Sequence, residues 1–326
     1  MVWIPEEVSE RWMPIGPRIQ QHAAEIVDVA GWEPDQDNPI PAVGKRAKEI
    51  LVCPSPPPYG FLIGRHRYLF KKPNVDAENP QIWSEVIAYE IGKLCGIPVP
   101  PAFLAFNSGT NEIGVLIEFF FGYHDEENER RFVHAIDRFQ ALNSEVDFRR
   151  GSLRSNLLLT RSHRIPNWRD WWAETLAFDA LISNGDRHSE NWGFLVEHAP
   201  EEVVRYRLAP AFDNGSSLGW RIRDEDLRNQ LSADAVQRFI SRGKHHYGWI
   251  DGDHQGAYHV ELCRKYLSVY ETASPTFRRV IQLDDADLER VVTWAQGFAY
   301  PARFSGYRAE FMLAVLRAKL ALLRAI

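Results

Sequence analysis

The chain has 326 residues and a formal charge of -6, with 45% hydrophobic and 25% charged residues, the profile of an ordinary soluble globular protein long enough for a substantial core and two lobes. The negative balance argues against a dedicated nucleic-acid binder, because the basic runs at 44–48, 161–169 and 242–246 are short and read as solvated faces. Cys53, Cys95 and Cys263 are too few and too scattered for a zinc knuckle or a disulfide framework, no apolar run is long enough to cross a bilayer, and the start MVWIPEEVSERW lacks the basic and apolar regions of a signal peptide, so a reducing cytoplasm is the expected location.

Residues 1–41 mix Trp, Pro and acidic residues without a clean period and read as an irregular arm with room for one short helix. From Gly44 the pattern sharpens. Ile50-Leu51-Val52-Cys53 reads as a buried strand, the run Pro54 to Pro58 as a connection, and Phe61 to Phe70 as one or two further strands. Lys71 and Lys72 close that stretch, and at period two only one of them shares a face with Leu69. Asn79-Pro80 is a helix start, with a side-chain cap followed by a proline at the first helical position. The helix runs to Leu94, carries Glu85 and Glu90, and stops at Gly96. Strands follow at Ala102 to Phe106 and at Ile113 to Phe121, the second holding a single acid, Glu118.

After Gly122 the composition turns helix-like, which puts a lobe boundary there: a first lobe over 42–121 and a second over 122–326. Asp125 to Arg150 reads as charged and mainly helical. Trp168 to Ser183 reads as a strongly apolar helix, the spine of the second lobe, and it delivers the chain to Asp186. Beyond it, the segment after Asn191 alternates like a strand, breaks at His198-Ala199-Pro200, alternates again from Val203 to Leu208 and ends at Asp213, the pattern of a hairpin. Antiparallel strands return the residues at their open ends to one edge, so Asn191 and Asp213 are expected side by side with Asp186 one tight loop away. Asp224 to Gly252 is polar and interrupted; Asp284 to Trp294 and Tyr307 to Ile326 are amphipathic helices.

Three oxygen-bearing side chains at the mouth of a hairpin suit a hard cation such as Mg2+, which keeps waters and takes substrate phosphate. D-x4-N with a distal Asp is also the arrangement of phosphoryl-transfer enzymes: the first Asp orients the attacking hydroxyl, and the Asn and second Asp hold metal. Each piece taken singly is an ordinary turn; the spacing around a hairpin favours the catalytic reading. On that reading Lys71 contacts nucleotide phosphate and Glu85 pairs with it, with Lys72 and Glu90 as the competing choices. The backbone at Glu118, Phe119 and Phe120 would form a hinge that reads adenine, although a plain core strand fits those residues equally well.

FKKP, the helix SEVIAYEIGKLCGIPVPPA, the loop NGDRHSENWGF and LAPAFDNG resemble, in order, the landmarks of HipA-like serine/threonine kinases over roughly Gly44 to Leu218. The resemblance implies an α+β, two-lobed protein-kinase-like fold, with a small β-rich first lobe containing one helix and a larger helical second lobe. It implies ATP and Mg2+ as cofactors, Lys71 on phosphate, Glu85 paired with it, Asp186 as catalytic base, and Asn191 and Asp213 as metal ligands. Gly44 and Lys48 have the G-x3-K spacing of the family's phosphate-covering loop. It also implies a Ser or Thr acceptor on a protein substrate and the prospect of an antitoxin partner. Two departures stand out: Pro41, Ala42 and Val43 occupy the place of the serine that toxin-type members autophosphorylate, and the N-terminal arm is shorter than their extra subdomain. Rival readings of the same motif are a small-molecule kinase of the aminoglycoside or choline type, a phosphoinositide kinase, and a nucleotide-binding module without turnover.

Overall fold

The computed structural model describes residues 12, 14, 19–36, 48–73, 80–124, 126, 130–142, 151–199, 203–253 and 255–326. The first lobe is a six-stranded sheet in the order β1-β5-β6-β4-β3-β2. Its strands are β1 (Val27–Asp28), β2 (Glu33–Pro34), β3 (Lys48–Val52), β4 (Arg67–Lys71), β5 (Ala102–Asn107) and β6 (Glu112–Glu118). Only β1 pairs in parallel, with β5. The arm is therefore not wholly irregular, since its two short strands finish both edges of the sheet. Phe61 and Leu62 are buried but lie in a turn, so the stretch up to Phe70 supplies a single strand.

Helix α1 (Pro80–Cys95) is apolar nearly all round, with Ile82, Trp83, Val86, Ile87, Tyr89 and Ile91 buried, which requires cover on more than one side. The sheet covers one side. The other receives residues 298–304, which return from the end of the chain: Trp83 meets the rings of Phe298, Tyr300 and Phe304 and donates to Ala302 O at 2.8 Å. The Tyr300 hydroxyl lies 2.7 Å from Ala105 O and accepts the Gly114 N–H at 3.0 Å. The two lobes are thus tied by packing as well as by the chain that runs on from β6. Gly92 sits where α1 touches the following loop, and a Cβ there would lie 2.6 Å from a Val99 methyl.

The second lobe is built on α4 (Trp168–Leu181), whose Trp172, Leu176, Phe178, Ala180 and Leu181 are fully enclosed. Around it lie α2 (Ala135–Leu142), α3 (Leu153–Ser162), α5 (Asp224–Leu227), α6 (Ala233–Arg242), α7 (His259–Val269), α8 (Ser274–Val280), α9 (Asp285–Gln296) and α10 (Gly306–Arg324). The hairpin forms as β8 (Gly193–Ala199) and β9 (Val203–Leu208). It gains a third strand, β7 (Arg130–His134), which pairs with β8 from Arg130↔Glu197 to His134↔Gly193. The charged stretch after Gly122 thus opens as a strand, because Phe132 and Val133 have a sheet to join; its later helical part is α2. No helix among the described residues is long and apolar enough to cross a membrane.

Candidate active site

Lys71 ends β4 and is 6% exposed. Its Nζ lies 2.9 Å from Glu85 Oε2 and 2.5 Å from Asp213 Oδ1. The other Glu85 oxygen accepts the backbone N–H of Asn214 at 2.8 Å, so a single α1 carboxylate ties the strand lysine to the segment that follows the hairpin. The alternatives point elsewhere. Lys72, on the opposite face of β4, pairs with Glu49 at 2.6 Å and Glu112 at 2.7 Å. Glu90 takes Lys93 and Gln20, each at 2.8 Å.

Below the sheet, residues 184–191 form a loop wound on its own side chains. The Asn184 amide donates to Asp179 Oδ1 at 3.1 Å and its Oδ1 accepts Asp186 N–H at 3.0 Å. Asn191 Nδ2 donates to Asp186 O at 2.7 Å, which commits the nitrogen inward and leaves the amide oxygen as the group available for a ligand. The Asp186 side chain is 41% exposed, with His188 Nε2 3.7 Å away. Gly185 is needed because Lys244 O comes within 2.7 Å of where a Cβ would stand.

Asp213 adopts a left-handed backbone, φ +55°, rare for a residue with a Cβ and a mark of a site whose surroundings enforce it. Ala209 N–H bonds Gly193 O at 3.0 Å, closing the open end of the hairpin. Arg187 bridges the two flanking segments, donating from one terminal nitrogen to both Asn191 O, at 3.1 Å, and Phe212 O. The cleft thus carries Lys71, Glu85 and Asp213 in contact, with Asp186 and Asn191 on the loop that Arg187 joins to Asp213.

A model of the HipA-like C-terminal domain matches residues 61–294. The chain belongs to that family. Among solved structures, the proinflammatory kinase CtkA of Helicobacter pylori is similar over 92% of this chain and 98% of its own, at 18% identity and a TM-score of 0.67. HipA of the Shewanella oneidensis MR-1 toxin–antitoxin system, solved with HipB and operator DNA, is similar over 89% of this chain and 66% of its own, at 14% identity and a TM-score of 0.47. No curated protein matches. The likeness to CtkA is one of fold: two lobes, a curled sheet in the first and helices in the second.

Of the other candidates in this HipA-like chain, Gly44 lies outside the described residues, and Lys48 starts β3 directly opposite Lys71. Its charge reaches His134 on β7, whose pKa is lowered chiefly by burial. The Glu118 carboxylate does not face the cleft. Lys71 pairs with Val115 and Leu69 with Ile117, so period two puts Ile117 on the lysine's face and Glu118 on the other. There Glu118 accepts from Tyr123 at 2.7 Å, and burial pushes its pKa up to about 7. The Phe119 carbonyl is bonded to His66 Nε2 at 2.7 Å and the Phe120 carbonyl accepts from Trp12 at 2.7 Å. Hinge contacts at these residues would therefore have to come from backbone groups other than those two carbonyls. Leu69, Val115 and Ile117 share the face of Lys71 through the strand register, which one strand read alone does not supply.

Among the described residues no group of three His, Cys, Asp or Glu side chains could hold a metal ion. Asn191 and Asp213 offer an amide oxygen and a carboxylate, two hard donors; that set fits Mg2+, which takes its remaining ligands from phosphates and water, and does not fit a closed zinc cage. The side chains that sequence reasoning passed over are Arg187, Asn184 and Asn214. One signal was there: Asp179 sits inside an otherwise apolar helix, and a buried carboxylate needs a cation close by.

Proposed function

We propose that the chain is an ATP- and Mg2+-dependent phosphotransferase that moves the γ-phosphoryl group to a Ser or Thr hydroxyl of a protein. The observation that supports this most directly is the buried Lys71 amine held against Glu85 and Asp213. In this reading Lys71 binds phosphate oxygens and Glu85 keeps its amine from swinging away. Asp186 aligns the acceptor hydroxyl and takes its proton as the bond from that oxygen to the γ-phosphorus forms and the bond to the β-phosphate oxygen breaks, releasing ADP. Asn191 and Asp213 would hold Mg2+, which when bound neutralises charge on the β- and γ-phosphates. An antitoxin-like partner remains an expectation of the family resemblance alone.

The test is transfer of label from γ-labelled ATP with Mg2+ in the presence of a protein lysate. The expected result is labelled protein, with Asp186→Ala slower by roughly 10²–10⁴-fold and Asp213→Ala inactive. Label appearing only on an added aminoglycoside or small alcohol would move the chain to the small-molecule kinases. Stabilisation by nucleotide with no transfer at all would leave a binding module.

A further inference from the structure

The geometry points to Arg187 as a positioning residue that sets the separation of Asn191 and Asp213, an inference that rests on the phosphotransfer reading. A guanidinium has five N–H donors in a rigid plane, and here all five are used. Nε donates to Asp179 Oδ2 at 3.1 Å. One terminal nitrogen donates to Asn191 O at 3.1 Å and to Phe212 O. The other donates to Asp179 Oδ1 at 2.8 Å and Asn214 Oδ1 at 2.6 Å.

Charge balance in the interior would be met by the two bonds to Asp179. The remaining three all go to residues that are, or directly flank, the two metal-binding candidates. Asn191 is held by its carbonyl. Asp213 is held from both sides, through Phe212 O before it and the Asn214 side chain after it, and that side chain is itself fixed by donating to Ala211 O at 2.9 Å. Asp213 keeps its left-handed backbone, φ +55°, between those two anchors. One planar group thus joins helix α4, the loop of Asp186 and the segment of Asp213. A lysine could not do this: its three donors spread tetrahedrally and lack the fork.

The inference is tested on the full chain by titrating Mg2+ against binding of a fluorescent ATP analogue to wild type, Arg187→Lys and Asn214→Ala. Loss of a group that orients metal ligands weakens the metal by about 10- to 100-fold, so Arg187→Lys should raise the Mg2+ concentration for half-saturation by that factor. Asn214→Ala removes one strut and leaves the pair with Asp179 intact, and should shift it the same way by less. Binding of the analogue in EDTA should change far less in both variants, since the Lys71–Glu85 pair does not run through Arg187 or the Asn214 side chain. An unchanged Mg2+ half-saturation in a cooperatively melting variant overturns the inference. So does equal weakening with and without Mg2+, which a merely structural role would produce. If Arg187→Lys does not fold, Asn214→Ala decides by the same criteria. A wild type that binds the analogue with no response to Mg2+ overturns the phosphotransfer reading itself, an outcome distinct from failure of the two variants alone.

Discussion

Two of the cations buried in the second lobe, Arg187 and Lys319, are treated in opposite ways. Arg187, 1% exposed, finds a carboxylate and three further acceptors; burial works against its charge, but Asp179 opposite more than offsets that, so its proton is held more tightly than usual. Lys319 on α10, fully enclosed, reaches the Ile240 carbonyl at 3.1 Å and His259 Nδ1 at 3.3 Å. No carboxylate pairs with it among the described residues, and burial pulls its pKa down to about 8. The first arrangement fixes a charge permanently beside the cleft. The second leaves an amine close to losing its proton, connected through His259 Nε2 to Asn184 O at 3.1 Å, at the start of the loop that holds Asp186. A buried charge that sets geometry has to be saturated with acceptors; one that fills space between helices can be left half-solvated by carbonyls and imidazoles.

The comparison breaks most visibly at Arg187. Arg187→Met would strand the Asp179 carboxylate in the interior, and removing one partner of a buried pair costs about 3–5 kcal/mol. The expected outcome is a large drop in the urea midpoint at pH 7. The double variant Arg187→Met with Asp179→Leu should recover part of it, because no unpaired charge then remains. A single variant as stable as wild type would mean the pair is not what it looks like.

A middle-sized effect is expected at Glu118, an acid buried, among the described residues, against the hydroxyls of Tyr68 and Tyr123. Its carboxyl titrates near 7 when folded and near the ordinary glutamate value when unfolded. The folded state therefore holds a proton that the unfolded state has lost, and stability falls as pH rises through that window. Glu118→Gln keeps an acceptor for Tyr123 without the charge. It should stabilise the fold by roughly 2–3 kcal/mol at pH 8 and hardly at all at pH 4. Nucleotide binding should be unchanged, since the carboxylate faces away from the cleft.

Glu118 also shows where sequence stops being legible. Periodicity identified β4, β6 and α1, and the D-x4-N spacing with its hairpin brought out Asp186, Asn191 and Asp213, because those signals are local. Which side of β6 shares the face of Lys71 is decided by its register against β4, a pairing between residues 44 to 50 apart; period two alone is silent on it. Lys71 against Lys72 had the same difficulty, and the structure separates them by partners, Glu85 and Asp213 for one and Glu49 and Glu112 for the other. The segment 130–134 read as helical because its charges mask a strand that needs the edge of β8 to exist. Arg187 was hidden for a further reason: its acceptors come from three segments that only the folded chain assembles.

The smallest effect, and the sharpest test of the contrast, lies at Lys319. Lys319→Met removes a charge that has no carboxylate to satisfy and replaces its stem with an apolar side chain of similar length. It also takes a donor from His259 Nδ1 and from Ile240 O, a loss of about 1–3 kcal/mol that works against the gain. Below pH 8 the wild type carries the buried charge in full, so the two terms nearly cancel and the variant should be within about 1 kcal/mol of wild type. Between pH 8 and the ordinary lysine range the folded wild type has shed the proton while the unfolded chain keeps it, so wild-type stability rises with pH. The variant lacks that rise and should become the less stable of the two by pH 10. Thermal melts of both across pH 7 to 10 measure the crossing. Parallel curves would mean that Lys319 keeps its proton throughout and that the two buried cations are alike after all.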